Sequence, residues 1–160
     1  MTSTAAFLTN LILAVFWALA SGGLGSGTLL VGFLAGFVTL VVMRRAVGAE
    51  AYVRKSLGAI RLLFVFLREL IKANIRLAYD ILTPTHYMRP AIIAIPLDAR
   101  SDFEITLLAN MITLTPGTLT LHVAADRSVL YIHSVYTPDA DLLRRSIKED
   151  FEARILELTR

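Results

Sequence analysis

MTSTAAFLTNLILAVFWALASGGLGSGTLLVGFLAGFVTLVVM, residues 1–43 of a 160-residue chain, contains no charged side chain. Two apolar runs, 4–21 and 28–43, flank the connector Gly22-Gly23-Leu24-Gly25-Ser26-Gly27. At ~1.5 Å per helical residue each run covers roughly 24–27 Å. That is slightly short of a hydrocarbon core of ~30 Å, but the flanking Gly, Ser and Thr let either run extend by a turn. The Gly-rich connector is a turn composition, too short for anything but a tight antiparallel link. A transmembrane helical hairpin is the direct reading.

Two plainer readings compete with it. Ala18-Leu19-Ala20 before Ser21 mimics a signal-peptidase site. The stretch before it lacks Lys and Arg, however, and a second apolar run follows at once. A soluble helix pair would have to bury these charge-free residues within a small domain, which is hard to arrange. Neither apolar run carries an ionisable group of the kind that ion and proton paths through membranes require. The hairpin is therefore a poor candidate for a conducting element. Its small residues recur at four-residue spacing: Ala14, Ala18 and Gly22 on the first helix, Gly32 and Gly36 on the second. Such stripes let helix backbones approach closely and mark these residues as candidate helix or subunit packing positions.

Outward from the hairpin the charge changes sign twice. Residues 44–89 hold nine basic and three acidic side chains, and residues 90–160 hold seven basic and ten acidic. The cluster Arg44, Arg45, Arg54 and Lys55 just after the second run makes that end cytoplasmic. From about 51 to 82 a helical pattern runs without proline, and Thr83-Pro84 ends it. Arg54, Arg61, Arg68, Lys72 and Arg76 fall on one stripe at 100° per residue. Leu57, Ile60, Phe64, Leu67, Ile71, Ile75 and Ala78 fall on another face. A basic amphipathic helix of this kind suits the cytoplasmic membrane surface, with its cations toward anionic lipid. A third span over the same residues would place Arg61 and Arg68 in hydrocarbon, at ~2.5–3.5 kcal/mol each near the centre. The interfacial reading is preferred. Phe64 and Phe66 lie on the apolar side, so the cations lack the aromatic interleaving of a nucleic-acid site.

The remaining 71 residues alternate differently. A β-type run at 91–95 precedes a helix over 98–111 that opens with the capping box Ser101-x-x-Glu104. The pair Pro116-Gly117 fits the centre of a type II turn. Strands follow at 118–124 and 128–136, then a helix begins at Pro138-Asp139 and runs to about Leu158. A two-residue loop at Asp126-Arg127 pairs Val123 with Leu130 and Leu121 with Ile132. Leu119, Leu121, Val123, Leu130 and Ile132 then share the buried face, and Thr118, Thr120, His122, Tyr131 and His133 the other. The order β-α-β-β-α is a small α+β domain with helices on one face of a sheet. The expected segments are a transmembrane hairpin at 1–46, a membrane-surface helix and linker at 47–89, and a cytoplasmic α+β domain at 90–160.

Candidate chemistry is sparse. His122 and His133 could approach on adjacent strands, but two ligands are too few for a zinc site. His86 has no evident partner. Thr113, Thr115, Thr118 and Thr120 around Pro116-Gly117 could offer donors to an anion, though the stretch reads more simply as a strand edge. The sequence holds no cysteine, no phosphate-binding loop and no catalytic motif. No metal, cofactor or enzymatic activity is expected.

The segments ITLTPGTLTLHV at 112–123 and LYIH at 130–133 resemble the signature of the E subunit of Mrp-type multisubunit Na+/H+ antiporters. LRELIKAN at 67–74, RPAIIAIPLD at 89–98, and the first helix with Asn10 and Trp17 are similar to that family as well. The family motif falls on Thr115, Pro116, Gly117 and Thr118. Ala91 stands where many relatives have glycine, which bears only on local turn geometry. The resemblance implies a small accessory subunit, important for assembly and stability, in a multi-pass bacterial plasma-membrane complex that exchanges cations such as Na+ for protons. Its implied partners are large antiporter-like subunits, small membrane subunits and lipid, with no nucleic acid. A membrane-anchored module sensing an anion or lipid headgroup is the alternative.

Overall fold

The computed structural model describes every residue except 84–87 and 138, so His86, Pro84 and Pro138 lie outside the described residues. The chain divides into two compact units, Met1–Leu57 and Gly58–Arg160. The helix that the sequence sets apart as its own segment is divided between them.

In the first unit, α1 spans Ser3–Ala20 and α2 spans Ser26–Val47. Thr2 caps α1 by accepting a hydrogen bond from the Ala5 N–H at 3.2 Å. The connector closes on Thr28, whose hydroxyl donates to the carbonyls of Gly23 and Gly25, each at 2.8 Å. α2 continues past its apolar run because Arg44 and Arg45 occupy its last turn, where cations meet the partial negative charge of the helix end. It stops at Gly48, and α3 begins at Glu50. Both helices are long and apolar enough to cross a membrane. Ile12, Phe16, Leu30, Leu34, Val38 and Val42 all turn outward. An exterior this apolar is satisfied by lipid tails and not by water.

The second unit contains the rest of α3, which ends at Leu82. A three-stranded antiparallel sheet follows, with spatial order β1 (Ala91–Pro96), β3 (Val129–Ser134), β2 (Thr118–Val123). α4 (Asp102–Leu114) lies between β1 and β2 in sequence, starting about one turn later than expected and ending three residues later, and opens with the full Ser101/Glu104 capping box. The last helix comprises α5 (Ala140–Ser146), a π-helical stretch over Ile147–Glu152, and α6 (Ala153–Thr159). Ile93, Ile95, Leu108, Ile112, Leu130, Ile132 and Ile155 form the core, with Leu62 of α3 joining them. Burying a side chain of this size stabilises by about 1.5–3 kcal/mol. Both sheet edges carry side-chain hydrogen bonds. On β1, Arg144 donates to the Ala94 carbonyl at 2.9 Å and Lys148 to the Pro96 carbonyl at 2.7 Å. On β2, the Thr120 N–H donates to the Thr113 hydroxyl at 3.2 Å. Such contacts blunt edges that could otherwise pair with another chain.

The hairpin register departs from the expected one. Val123 pairs with Leu130 as alternation requires, but the register shifts between Thr120 and His122, so Thr120 and not Leu121 opposes Ile132. An extra residue in one strand inverts every side chain beyond it. Leu119 and Leu121 are therefore exposed at 47% each. Thr118 and Thr120 turn toward the helices instead, where their hydroxyls donate to the carbonyls of Ile112 (2.6 Å) and Ala109 (3.1 Å). On β3 the expected parity stands: Leu130 and Ile132 are fully buried, while Tyr131 is exposed.

Candidate functional site

The interior of the first unit is built on absent side chains. A Cβ added at Gly32 would lie 2.7 Å from the Ala14 carbonyl oxygen and 2.9 Å from the Trp17 Cβ. One added at Gly36 would lie 3.1 Å from the Leu13 Cβ and would overlap the Asn10 carboxamide oxygen. Four residues forward on α2 correspond to four residues back on α1, so the two helices run antiparallel. Ala14 and Ala18 are buried in the same unit. Gly22 stands apart, because it is exposed beyond the end of α1 at φ +87°. Its place in the stripe of small residues is taken by Asn10, which the spacing did not single out. Asn10 is fully buried, and its side-chain amide donates to the Tyr52 hydroxyl at 3.0 Å. The Tyr52 ring packs among Phe7 and Phe37, at centroid distances of 6.4 and 5.9 Å. That bond satisfies the donor side of the amide inside an apolar helix pair, whereas the Asn10 carboxamide oxygen is buried without a hydrogen-bond partner among the described residues and keeps its desolvation cost.

The basic stripe of α3 separates into two kinds of residue. Arg54 and Arg61 are exposed. Arg68 pairs with Glu69 at 2.9 Å and approaches Asp150 at 3.6 Å, and Lys72 pairs with Glu69 at 3.0 Å. The Arg76 guanidinium lies 5.6 Å from the centre of the Tyr136 ring. Leu57, Ile60, Phe64, Leu67, Ile71 and Ile75 are exposed. Leu62, Val65 and Phe66 reach the core of the second unit. α3 thus has one face on the α+β layers and an apolar stripe without a protein neighbour among the described residues.

Within the second unit a cavity of about 320 Å³ brings together residues that are distant in sequence. Lys72 and Arg76 of α3 line it together with Thr115, Pro116, Gly117 and Thr118, and Tyr136 and Asp139 complete the wall. The Thr118 N–H donates to the Thr115 carbonyl at 3.2 Å, closing a turn with Gly117 at φ +90°. A side chain there would be strained, and its Cβ would sit 3.0 Å from the Tyr136 ring. The glycine of the turn is therefore fixed both by its own backbone and by a ring that also carries Arg76. The Tyr136 hydroxyl and one Asp80 carboxylate oxygen are buried without a hydrogen bond of good geometry. The pull of Asp80 as acceptor, and then burial, raise the phenol above its usual range.

The hydroxyls of Thr115, Thr118 and Thr120 are already donating to backbone carbonyls. Thr115 donates to the Met111 carbonyl at 2.9 Å, Thr118 to those of Ile112 and Thr115, and Thr120 to that of Ala109. Thr113 is the acceptor for Thr120. His122 stacks against Tyr131 with centroids 6.4 Å apart. Among the described residues no three His, Asp or Glu side chains converge on a point where a metal ion could sit.

Two buried carboxylates hold the loop between β1 and α4. Glu152 accepts from the N–H groups of Asp98 (2.7 Å) and Ala99 (2.9 Å) and pairs with Lys148 at 2.8 Å. Lys148 also pairs with Asp98 at 2.7 Å, and its hydrogen bond and charge hold Asp98 below its usual range. Burial works against the Lys148 charge, but the hydrogen bonds to Asp98 and Glu152 outweigh it and raise its pKa. Glu104 accepts from Thr159 at 2.6 Å and from the N–H groups of Arg100 and Ser101, which lower it to about 2. Only the capping box was visible in the sequence. Glu152 meets its partners across 53 and 54 residues, and only through the π-helical turn that carries it.

A helical hairpin without a charged side chain before Arg44, followed by a small α+β unit, is the architecture of a membrane protein. The family described as Na+/H+ ion antiporter subunit matches residues 10–158. The E subunit of the Na+/H+ antiporter of Alkalihalophilus pseudofirmus is 36% identical over 153 residues, covering 96% of this chain and 97% of that protein. The E subunit from Bacillus subtilis has the same identity and coverage. A chain of the solved Mrp complex from Dietzia sp. is 32% identical, with a TM-score of 0.48, over 61% of this chain and 92% of that one. The chain belongs to the E-subunit family of multisubunit Na+/H+ antiporters. It is a component of a transporter and not an enzyme.

Proposed function

We propose that this chain is an accessory subunit that supports assembly and stability of a cation/proton antiporter while other subunits carry the ions. The observation behind this reading is the interior of the first unit. From Met1 to Met43 there is no ionisable side chain, and the buried Asn10 is bonded to Tyr52. Alternating access and proton relay need polar or ionisable groups along the path at membrane depth. α1 and α2 offer a close-packed seam at Ala14, Ala18, Gly32 and Gly36 and an apolar exterior for lipid or neighbouring helices. The partners are the large antiporter-like and small membrane subunits that the family's complexes are built from, in a bacterial plasma membrane.

The connector of the hairpin lies outside, and the α+β unit is cytoplasmic, because Arg44 and Arg45 close α2. α3 lies along the membrane surface. It carries too many cations to match the other two helices, and its exposed apolar stripe is what an interface would cover. Cysteines placed at Ser26 and Thr137 test this: Ser26 should label in intact cells and Thr137 only after permeabilisation. External labelling of Thr137 would make α3 a span. The assembly role is tested by replacing Gly32 and Gly36 with Ile in the complete complex. Antiport should fall in proportion to the intact complex recovered. Full recovery of complex with lost antiport would point to a direct role in transport. The anion-sensor alternative draws no support from the Thr115–Thr120 turn, whose hydroxyls are engaged.

A further inference from the structure

The cations that follow the hairpin differ in what they touch. Arg68 and Lys72 hold Glu69, and Arg76 rests on Tyr136. Arg44 and Arg45, in the last turn of α2, and Arg54, in the second turn of α3, are exposed, with no ion pair to any described residue. Glu50 is the only carboxylate between them in sequence. Their base is packed. The Ala49 N–H donates to the Arg44 carbonyl at 2.9 Å. Ala49, Tyr52 and Val53 are buried in one cluster with Ala6 and Leu40.

Depth argues in the same direction. α2 is free of charge from Ser26 to Met43, about 27 Å of helix, so Arg44 and Arg45 emerge where a hydrocarbon core of ~30 Å gives way to headgroups. Tyr52 reaches Asn10, seven residues or about 10 Å into α1, so the first turns of α3 sit at the depth of the interface.

We propose that Arg44, Arg45 and Arg54 form a binding site for the headgroup of an anionic phospholipid in the leaflet where α2 ends. The inference rests on the reading that α1 and α2 span the bilayer. The occupant follows from charge and from continuity: three unpaired cations stand on a packed joint at the end of a lipid-facing helix. A guanidinium offers paired donors to a phosphate as well as charge. Lys72 and Arg76 are not assigned to this site because Lys72 already pairs with Glu69 and Arg76 rests on the Tyr136 ring.

The test uses the full chain, recovered in nanodiscs cut directly from phosphatidylcholine membranes containing a minor fraction of phosphatidylglycerol. The ratio of the two lipids retained is compared with that of the bulk membrane. The chain should retain phosphatidylglycerol in excess. Each cation removed from Arg44→Gln/Arg45→Gln/Arg54→Gln should weaken that preference by about fivefold. Lys72→Gln should leave it unchanged, and Arg44→Lys/Arg45→Lys/Arg54→Lys should keep most of it. If the triple Gln variant fails to fold, Arg54→Gln alone carries the comparison. Absence of enrichment in the unaltered chain, or equal loss in Lys72→Gln, overturns the proposal. Abolition by inorganic phosphate in the buffer also overturns it, since the ligand would then be a free anion. No transport is measured, so a negative result leaves the accessory role standing, and antiport by the lone chain would leave the lipid site standing.

Discussion

The Asn10 side-chain amide donates to the Tyr52 hydroxyl at 3.0 Å, and the Asn10 carboxamide oxygen fills the notch left by the missing Cβ of Gly36. One polar residue thus joins all three helices of the first unit. It bonds to α3 and sets how closely α1 and α2 approach.

Tyr52→Phe should keep the ring contacts with Phe7 and Phe37 and lose only the hydrogen bond. Polar contacts between membrane helices are worth about 0.6 kcal/mol and at most ~1.7. A double-mutant cycle with Asn10→Ala, read by thermal unfolding in detergent, should return a coupling in that range. Additive losses would mean the bond contributes nothing.

The two seam glycines should differ. At Gly32 the obstructing atoms include the backbone of Ala14, whereas at Gly36 the nearest is the end of the Asn10 side chain. Gly32→Ala should therefore cost more, within about 1–3 kcal/mol for overpacking. Asn10→Ala should relieve Gly36→Ala and leave Gly32→Ala unrelieved. Gly27→Ala, where a Cβ would meet nothing within 4 Å, should show no steric cost. Unfolding of the single and double variants separates these cases.

The bulge makes a prediction against simple alternation. Thr120→Asp should damage the second unit strongly, because it removes the bond to the Ala109 carbonyl and turns a charge toward α4. Leu121→Asp, at a position already 47% exposed, should stay within about 0.5 kcal/mol. Alternation without the bulge requires the reverse order, so one pair of unfolding curves decides.

Acid should loosen the loop between β1 and α4. In the unfolded chain Glu104 takes a proton near pH ~4.3, but in the fold only near pH 2. Between those values the unfolded chain binds more protons, so this contribution is complete above pH ~4.3 and is lost as the pH falls through about 2. Glu104→Gln keeps the shape of the side chain and removes the titration. Its unfolding temperature should vary less with pH across that window than that of the unaltered chain.

The hairpin was legible because forty-three residues without charge leave few alternatives. The parity of β3 was legible because Leu130 and Ile132 alternate with Tyr131 and His133. β2 was not, since a single extra residue leaves no mark on composition. The same alternation fits two registers until the hydrogen bonds from Thr118 and Thr120 to α4 choose one. Lys72 and Arg76 read correctly as helical neighbours. Their meeting with Thr115–Thr118 around one cavity depends on contacts across some forty residues that periodicity cannot report. Asn10 was visible as a lone amide in an apolar helix, but its partner Tyr52 was not.

The central claim is that this subunit carries no ions itself, and proton flux in vesicles tests it most directly. Vesicles holding the chain alone should show no sodium-dependent proton movement, while vesicles holding the complete complex should, and a complex assembled without this chain should be unstable or inactive. Sodium-dependent proton flux from the lone chain would contradict the account, because the apolar runs 4–21 and 28–43 hold no ionisable side chain to carry it.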